Sequence, residues 1–401
     1  MTRSPVLTTT HGTLTLENPF ILASAPPTAS VEGIRRGFRA GWGGAVVKTI
    51  HADSMEVRDV SPRFCARKGP GGELLGFENI ELLSKKSVSY WETGIVRLKD
   101  EYPDHILIAS IMGDTDPASW QDLARRVQDA GCDAIELNVS CPHGMPEAGV
   151  GAAIGQNPPL VERLTRDVVS VAKVPVYVKM TPNITDIVLP AKAAAAGGAA
   201  GISAINSVQG IFGVDIESFE PQPSVGGRGT RGGYSGPAIK PIGLERVSAI
   251  AKAVPLPIMG IGGISSWQDA AEYLLLGASA VQVCTAVMWN GYGIVKEMNA
   301  GLLRYLEQKG LASPDDLRGA ALPNLVSHQA LDRNDRVRPG LDRPEACDGC
   351  GRCVIACRDG GYDAIRLREK RPVFDDAACD GCGLCILVCP KGALAAARYW
   401  V

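Results

Sequence analysis

Cys141, on a short polar loop, is the residue of this sequence best placed to do chemistry. It follows an apolar stretch, 134–139, whose Ile, Leu and Val residues are typical of a strand, and the proline after it cannot donate to a sheet. Most single cysteines are small buried hydrophobes, and that alternative stays open. Asn138, Ser140 and His143, however, are polar neighbours that a pure packing site would have to satisfy at a cost. The pattern favours a catalytic thiol at the carboxyl end of a strand.

Eight of the twelve cysteines follow position 346, in two runs of the spacing C-x2-C-x2-C-x3-C. This spacing is typical of bacterial two-cluster ferredoxins, in which the fourth cysteine of each run ligates the cluster of the other run. Zinc is the alternative, but four-cysteine zinc sites use separated C-x2-C pairs. The sequence therefore predicts a ferredoxin-like domain over 341–401 with two 4Fe-4S clusters. The predicted metal ligands are Cys347, Cys350, Cys353, Cys357, Cys379, Cys382, Cys385 and Cys389.

Composition excludes several classes of protein. The 401-residue chain is 45% hydrophobic and 21% charged, so it can bury a large core. Its formal net charge of -2 gives no electrostatic reason to expect nucleic acid or an anionic membrane as a partner. The amino terminus lacks the apolar core of a signal peptide, and the alanine-rich stretch 191–204 is too short to span a bilayer. With cysteines at metal-ligand spacing, these features predict a cytoplasmic globular protein.

Short apolar stretches alternate with longer helical patterns from residue 20 onward. The predicted strands are 20–23, 45–50, 106–111, 134–139, 176–180, 202–206, 257–261 and 280–284. The clearest helical patterns are 117–130, 159–172, 184–196, 244–254 and 266–276. Eight strand–helix units in roughly 300 residues predict an α/β fold, a (β/α)8 TIM barrel over 1–312, followed by a linker over 313–340. A doubly wound open sheet is the alternative.

A TIM barrel brings the carboxyl ends of its strands to one mouth, where loops build the site. The residues that meet there are Ser24, Lys48, Asn138, Lys179, Asn206, Gly262–Gly263 and Cys284–Thr285. A lysine at the end of an apolar strand, as at Lys48 and Lys179, indicates a ligand or partner for its charge. The glycine pair follows the seventh strand, where such barrels often bind phosphate, but it lacks the third glycine of a dinucleotide fingerprint.

Two connecting segments are harder to interpret. The connection 208–243 is long and glycine-rich, and connections of that length are usually functional, so it is either a lid or an ordinary loop. Asn79-Ile80-Glu81 is predicted to open a helix after a glycine-rich passage. It is either only the polar start of that helix, with the glutamate at the positive end of the helix dipole, or a functional motif.

Taken together, short motifs along almost the whole chain resemble those of the dihydropyrimidine dehydrogenases, most closely the catalytic subunit of the bacterial two-subunit NAD-dependent enzymes. Besides the cysteine runs, the motifs include Leu22-Ala-Ser-Ala25, Gly41-Trp-Gly-Gly44, Lys48-Thr49, Val60-Ser-Pro-Arg63, Asn79-Ile-Glu-Leu82, Ala109-Ser-Ile-Met112, Asn138-Val-Ser-Cys-Pro-His143, Lys179-Met-Thr-Pro-Asn183 and Ser235-Gly236. Three features depart from the family: Ser207 stands where threonine is frequent, 146–155 differs from the bacterial subunits, and His143 is more like the large fused enzymes.

The resemblance implies a site for each ligand. FMN would be contacted by Ser24, Lys48, Thr49, Asn79, Asn138, Lys179, Gly236, Gly262, Gly263, Cys284 and Thr285. A pyrimidine base would be held by Asn79, Glu81, Asn138, Ser140, Asn206 and Ser207. The implied catalytic residues are Cys141, Ser140 and His143.

The activity that follows is reduction of uracil and thymine to dihydropyrimidines, with hydride from reduced FMN and a proton from Cys141 as general acid. Dihydroorotate dehydrogenase is the close alternative, since it shares the barrel, FMN and Asn-x-Ser-Cys-Pro. Glu81 near the ring is expected to repel the carboxylate of orotate. A catalytically idle electron-transfer subunit is a third hypothesis.

Electrons must come from another protein, because no dinucleotide-binding βαβ unit is recognisable in the sequence. The resemblance implies a separate FAD and iron-sulfur subunit that oxidises NADH, so that NAD(H) acts only through this partner, in a heterotetramer containing a homodimer of the present chain. From 341 to 401 there are nine acidic and nine basic residues. This balance is unlike the one-signed surface that steers a diffusing carrier, so stable docking is expected, with a free ferredoxin as the alternative donor.

Overall fold

A computed structural model describes residues 6–400, with side chains over the same range except at 335–336 and 397–400. The chain forms two compact units, Met1–Asn324 and Leu325–Val401. The division falls inside the predicted linker 313–340, and the exact domain boundaries stay a prediction. Among the described residues, no helix combines the length and apolar character needed to cross a membrane.

Eight parallel strands form a closed barrel in the first unit. They are β1 (Phe20–Leu22), β2 (Gly44–Val46), β3 (Ile106–Met112), β4 (Ala134–Asn138), β5 (Val176–Met180), β6 (Gly201–Ala204), β7 (Ile258–Ile261) and β8 (Ala280–Val283). Each strand pairs with the next, and β8 pairs back onto β1. The short strand Ile50–His51 also pairs with β3. The predicted TIM barrel is confirmed, because closure through β8 and β1 rules out an open sheet.

The main helices of this unit are α1 (Val31–Ala40), α2 (Val88–Glu101), α3 (Pro117–Asp129), α4 (Pro158–Val169), α5 (Val188–Ala196), α6 (Lys240–Ala253), α7 (Trp267–Leu275) and α8 (Ile294–Lys309). Shorter helices are Ala152–Gly155 and Thr285–Asn290, and 3-10 turns lie at Pro26–Thr28, Met145–Ala148, Pro237–Ile239, Pro314–Leu317, Leu322–Asn324 and His328–Ala330. Polar caps explain where several helices begin, since the side chains of Ser30, Asp116 and Asn157 each accept a backbone N–H of the first turn.

Side chains alternate along each strand between the barrel interior and the surrounding helices. Near the amino ends of the strands the interior is apolar and consists of Ile21, Val46, Ile108, Ala134, Tyr177, Met259 and Ala280. The hairpin Thr9–His11 and Leu14–Leu16 closes this end with two leucines. Two residues further along the strands the interior becomes polar, with Ser110, Glu136, Lys179 and Gln282 all buried. The barrel therefore has an apolar floor and a polar mouth.

A four-stranded antiparallel sheet brings distant connections to this mouth. Its strands are Val208–Gly210, Gly232–Ser235, Leu74–Asn79 and Phe64–Lys68, in that order. Asn79 ends a strand and α2 begins only at Val88, so the expectation that Asn79-Ile80-Glu81 starts a helix is wrong. Pairing of Asn79 with Gly233, a residue 154 positions away, outweighs the local signal. The connection 208–243 contributes two strands here and a hairpin, Gly213–Val214 with Pro221–Gln222.

The second unit is built as a repeat. Strand Asp335–Leu341 pairs with Leu394–Trp400, and Ile365–Arg368 pairs with Arg371–Phe374. Helices Arg352–Asp359 and Leu384–Leu387 begin at corresponding places in the two cysteine runs, and a 3-10 turn, Pro344–Ala346, precedes the first run. This is the ferredoxin-like fold that the two runs predict.

Candidate active site

The barrel mouth contains a cavity of about 460 Å³. Almost all site residues implied by the resemblance line it, namely Ser24, Lys48, Thr49, Asn79, Glu81, Asn138, Cys141, His143, Lys179, Asn206, Ser207, Gly236, Gly262, Gly263, Cys284 and Thr285. Ser140 is the exception, because it lies behind the wall and bonds to residues that line the cavity. Residues separated by up to 261 positions, from Ser24 to Thr285, thus meet in one pocket.

The surroundings of Cys141 favour the protonated form of its thiol. Its side chain is only 7% exposed, and its S–H points to the carbonyl oxygen of His143 at 3.5 Å. Burial raises the pKa of the Cys141 thiol, while the charges of Lys48 and Lys179 act in the opposite direction. A thiol that stays protonated at neutral pH can donate a proton to a reacting carbon.

A chain of hydrogen bonds fixes the amides of the mouth. Asn206 Nδ2 donates to Ser140 Oγ at 2.8 Å, and Ser140 Oγ donates to Asn138 Oδ1 at 3.2 Å. Asn138 Nδ2 then donates to Thr49 Oγ1 at 2.9 Å. Asn79 is held separately, through the carbonyl of Gly233 at 3.3 Å. Ser140 therefore orients two amides from behind the wall, and its predicted role in catalysis stays a prediction.

His143 is buried and neutral. Its Nε2 lies 3.0 Å from the carbonyl oxygen of Glu81, and a carbonyl can only accept, so Nε2 carries the proton. Burial lowers the pKa of the His143 imidazole. Among the described residues, Nδ1 has no hydrogen-bond partner although it is buried. The ring thus offers one unprotonated acceptor at the cavity wall.

Both lysines that line the cavity are paired. Lys48 Nζ lies 2.8 Å from Glu81 Oε2, and Arg63 Nε lies 3.2 Å from Glu81 Oε1. Lys179 Nζ lies 3.4 Å from Glu136 Oε1, with both side chains almost fully buried. The expected repulsion between Glu81 and a substrate carboxylate is weakened by its two cations, and neither lysine stands alone to attract an anion.

Sequence reasoning missed a buried network beneath the mouth. Gln282 Nε2 donates to Glu136 Oε2 at 3.0 Å and lies 3.1 Å from Ser203 Oγ, while Ser110 Oγ lies 3.0 Å from Thr49 Oγ1. The signal was present, because Glu136 stands two positions before Asn138 and therefore on the same face of its strand. Phe64, Leu74 and Phe77, which also line the cavity, gave no comparable signal because their sheet forms only through long-range pairing.

The mouth fits a flavin. Gly236, Gly262 and Gly263 have φ of +85°, +131° and +70°, conformations that favour glycine. A Cβ on Gly263 would lie 2.8 Å from the backbone nitrogen of Lys240, the first residue of α6. The glycine pair thus lies against a helix amino terminus, an arrangement that binds phosphate. Lysines, amides and apolar wall residues in the same cavity suit a planar ring with polar edges.

In the second unit, the cysteines divide between two sites. One small cavity is lined by Cys347, Cys350 and Cys353 of the first run and by Cys389 of the second. Cys357 lies instead near Cys385, whose pKa is raised to about 11 by burial first and then by neighbouring thiols including Cys357. Backbone N–H groups donate to the sulfurs of the two crossing residues, Ala364 to Cys357 and Ala393 to Cys389, each at 3.3 Å. Among the described residues, no three potential ligands converge on a single-ion position.

Comparisons with known proteins match both units. The dihydroorotate dehydrogenase family profile matches residues 6–306, and the 4Fe-4S dicluster domain profile matches 343–395. The chain is 42% identical over 356 residues to the NAD-dependent dihydropyrimidine dehydrogenase subunit PreA of Escherichia coli K12, covering 88% of this chain and 85% of that protein. Identity to the chloroplastic dihydropyrimidine dehydrogenase (NADP(+)) of Arabidopsis thaliana is 40% over 338 residues, 82% of this chain and 79% of the relative.

A further relative is the catalytic subunit of dihydroorotate dehydrogenase B (NAD(+)) from Pyrococcus horikoshii, 40% identical over 306 residues that cover 76% of this chain and 94% of the relative. This likeness is confined to fewer residues than the likeness to the two dihydropyrimidine dehydrogenases. The matches indicate flavin and iron–sulfur as the classes of cofactor. The chain therefore belongs to the dihydropyrimidine dehydrogenase family of oxidoreductases, whose barrel is of the dihydroorotate dehydrogenase type.

Proposed function

We propose that this chain reduces uracil and thymine to their dihydro forms, with FMN in the barrel mouth and electrons arriving through two 4Fe-4S clusters. The observation that carries the proposal is that the Cys141 thiol and the amides of Asn79, Asn138 and Asn206 line one cavity. A thiol can protonate a ring carbon, and amides can pair with both the donors and the acceptors of an imide-like ring.

The pairing of both cavity lysines supports a neutral substrate. Because Lys48 is paired with Glu81 and Lys179 with Glu136, an uncharged base can bind without separating an ion pair. The carboxylate of orotate would have to compete with Glu81 or Glu136 for a lysine. Such competition disfavours the binding of orotate, so uracil and thymine are the better substrates.

The side chains divide the work of the reduction. Cys141 donates the proton to the ring carbon next to the carbonyl, and Asn138 and Asn206, tied together through Ser140, orient the ring. His143 holds the loop through Glu81 and keeps Nδ1 as an acceptor at the wall. Lys179 and the glycine pair would hold FMN, which when bound would supply the hydride that no side chain can provide.

A partner must supply the electrons. The sequence lacks a recognisable dinucleotide fingerprint, and the Escherichia coli relative is itself named as a subunit. We therefore assign NADH oxidation to a separate FAD and iron-sulfur subunit, in a heterotetramer containing two copies of the present chain.

The purified chain alone should reduce uracil with dithionite or a reduced dye, but not with NADH. Adding the flavoprotein subunit should restore NADH dependence, because the missing step is nicotinamide oxidation. The measurement is anaerobic loss of uracil with each reductant, before and after the addition. NADH-driven turnover by the single chain would contradict the assignment.

A substrate panel separates the candidate reactions. Uracil and thymine should perturb the flavin spectrum and be turned over, whereas orotate and dihydroorotate should do neither. The likeness to the Pyrococcus horikoshii subunit makes dihydroorotate oxidation the second candidate, and turnover of dihydroorotate at a comparable rate would favour it. A flavin that no pyrimidine perturbs would favour the idle electron-transfer subunit.

Cysteine-to-serine variants should sort into two pairs. Because Cys389 shares a cavity with the first run, Cys389→Ser and Cys350→Ser should lose the same cluster. Cys357→Ser and Cys382→Ser should lose the other. Iron content and the electron paramagnetic resonance spectrum of each reduced variant provide the measurement, and identical spectra for Cys389→Ser and Cys382→Ser would contradict the exchange of fourth ligands.

A further inference from the structure

The charges of the carboxyl-terminal unit are balanced in number but separated in space. Positions 341–401 carry nine acidic and nine basic residues. The fold, however, gathers five of the nine basic side chains around the cysteine set Cys347, Cys350, Cys353 and Cys389. Four of the nine acidic side chains lie near the other set, namely Asp359, Asp363, Asp375 and Asp380. We refer to the first group, Arg343, Arg352, Lys370, Arg371 and Lys391, as the basic rim.

Contacts place each member of the basic rim at this first set. Arg352 and Lys391 line its cavity. A Cβ on Gly349, within the same run, would lie 2.7 Å from Cβ of Lys370. Arg343 donates to the carbonyl oxygen of Gly392, and Arg371 donates to that of Pro344, which precedes the run.

The basic rim encloses a surface suited to docking. All five cations are exposed, and so is Cys350. Leu367, 40% exposed, lines the same cavity and gives the patch an apolar centre. One acid, Asp348, also lines this cavity, but the charge of Lys391 acts on it and offsets part of its own. An apolar centre surrounded by charge is typical of a protein interface.

The second cysteine set has the opposite surroundings. Asp380 is hydrogen-bonded to Tyr362, and Tyr362 also interacts electrostatically with Cys382. Asp363 interacts electrostatically with Arg358. Asp375 accepts the N–H groups of Ala377 and Ala378, just before Cys379. Arg358 itself is paired with Asp359. A carrier that approaches this domain therefore meets mainly basic side chains at one cluster site and mainly acidic side chains at the other.

We infer that the basic rim is the docking surface for an acidic redox protein, and that electrons enter this chain through the cluster held by Cys347, Cys350, Cys353 and Cys389. The inference rests on the proposed function, since it concerns how the clusters are reduced. A redox protein is favoured over nucleic acid or an anionic membrane because the rim surrounds a cluster site, which neither of those ligands would use.

Charge reversal at the rim tests the inference with an acidic plant-type ferredoxin, chemically reduced, as the probe. In the full chain, Lys370→Glu and Lys391→Glu should each slow reduction of the clusters by this ferredoxin about threefold or more at low ionic strength. The difference should shrink above about 0.5 M salt, where exposed charges are screened. Stopped-flow absorbance of the clusters provides the rates.

Arg358→Glu is the matched control, because it reverses one exposed positive charge directly after Cys357, next to the other cluster site. Its rate with the ferredoxin should stay within about twofold of the unmodified chain. Equal slowing by Arg358→Glu, or loss of rate that salt does not reverse, would overturn the inference. The inference would also be overturned if Lys370→Glu and Lys391→Glu kept their rates with the ferredoxin but lost binding of a DNA oligonucleotide or of phosphatidylglycerol vesicles.

Two further readouts separate this inference from the proposed function. Reduced methyl viologen, a cation, should reduce the clusters of Lys370→Glu and Lys391→Glu at least as fast as those of the unmodified chain. Slower reduction by methyl viologen would mean that the substitutions damage the clusters, and it would overturn the inference. Uracil turnover driven by dithionite in the same preparations tests the proposed function by itself. If uracil is not turned over while the ferredoxin rates are normal, pyrimidine reduction is rejected and the inference about the docking surface still holds.

Discussion

Cys141→Ala should lower uracil turnover by about a hundredfold or more while leaving flavin binding and flavin reduction by dithionite intact. The thiol is the proton donor in the proposed reaction. Its S–H donates to the carbonyl oxygen of His143, and burial raises its pKa. Removing it leaves hydride transfer without a proton for the neighbouring carbon.

Cys132→Ala is the matched control for that variant. Cys132 is also buried in the barrel, and burial raises its pKa to about 12, but it does not line the cavity. The control should lose some stability and keep its turnover. Near-normal turnover of Cys141→Ala, or an equal loss in Cys132→Ala, would contradict the role of general acid.

The pH dependence provides a second check on the thiol. A general acid must be protonated, so the rate should fall as pH rises through the pKa of Cys141. Because burial raises that pKa, the fall should lie above the ordinary range of a cysteine, about 8.5. A plateau that extends through neutral pH is therefore expected in a plot of kcat against pH for the unmodified chain, and a fall below pH 8 would contradict a protonated resting thiol.

The barrel could be predicted from the sequence because its signals are local. Each strand is a short apolar stretch, and helices α1, α3 and α4 begin at polar caps that bond only a few residues ahead. Strand order then follows from the β/α alternation, so the mouth residues Lys48, Asn138 and Lys179 could be grouped before any contact was known.

The rest of the site depends on pairing across the chain. Asn79 reaches the cavity from the end of a strand held by Gly233, and the preceding glycine-rich passage indicated a helix start instead. Glu81 was expected as a bare negative charge, yet Lys48 and Arg63 from other segments neutralise it. Likewise, the balanced charge of 341–401 concealed the separation of the basic rim from the acids near Cys382. Such features depend on which segments meet, and no local pattern encodes that.

The buried pair beneath the mouth leads to the largest expected effect on stability. Lys179 and Glu136 lie 3.4 Å apart with side chains 6% and 0% exposed. Glu136→Ala leaves the ammonium group of Lys179 without its anion and the Nε2 of Gln282 without one acceptor. Loss of one partner of a buried pair typically destabilises by about 3–5 kcal/mol, and we expect a loss of that size in the free energy of unfolding.

Asp129→Ala is the matched control, because the pair of Asp129 with Lys173 has the same separation, 3.4 Å, but side chains 65% and 78% exposed. Exposed pairs contribute about 0–1 kcal/mol, so this variant should unfold almost like the unmodified chain. Urea unfolding followed by tryptophan emission measures the barrel, where Trp42, Trp91 and Trp120 are buried. The double variant Glu136→Ala/Lys179→Met should recover part of the loss, since it removes the unpaired charge. Equal unfolding curves for Glu136→Ala and Asp129→Ala would show instead that water or a relaxed lysine replaces the lost carboxylate, and the pair would then not be what holds the Lys179 side chain beneath the cavity.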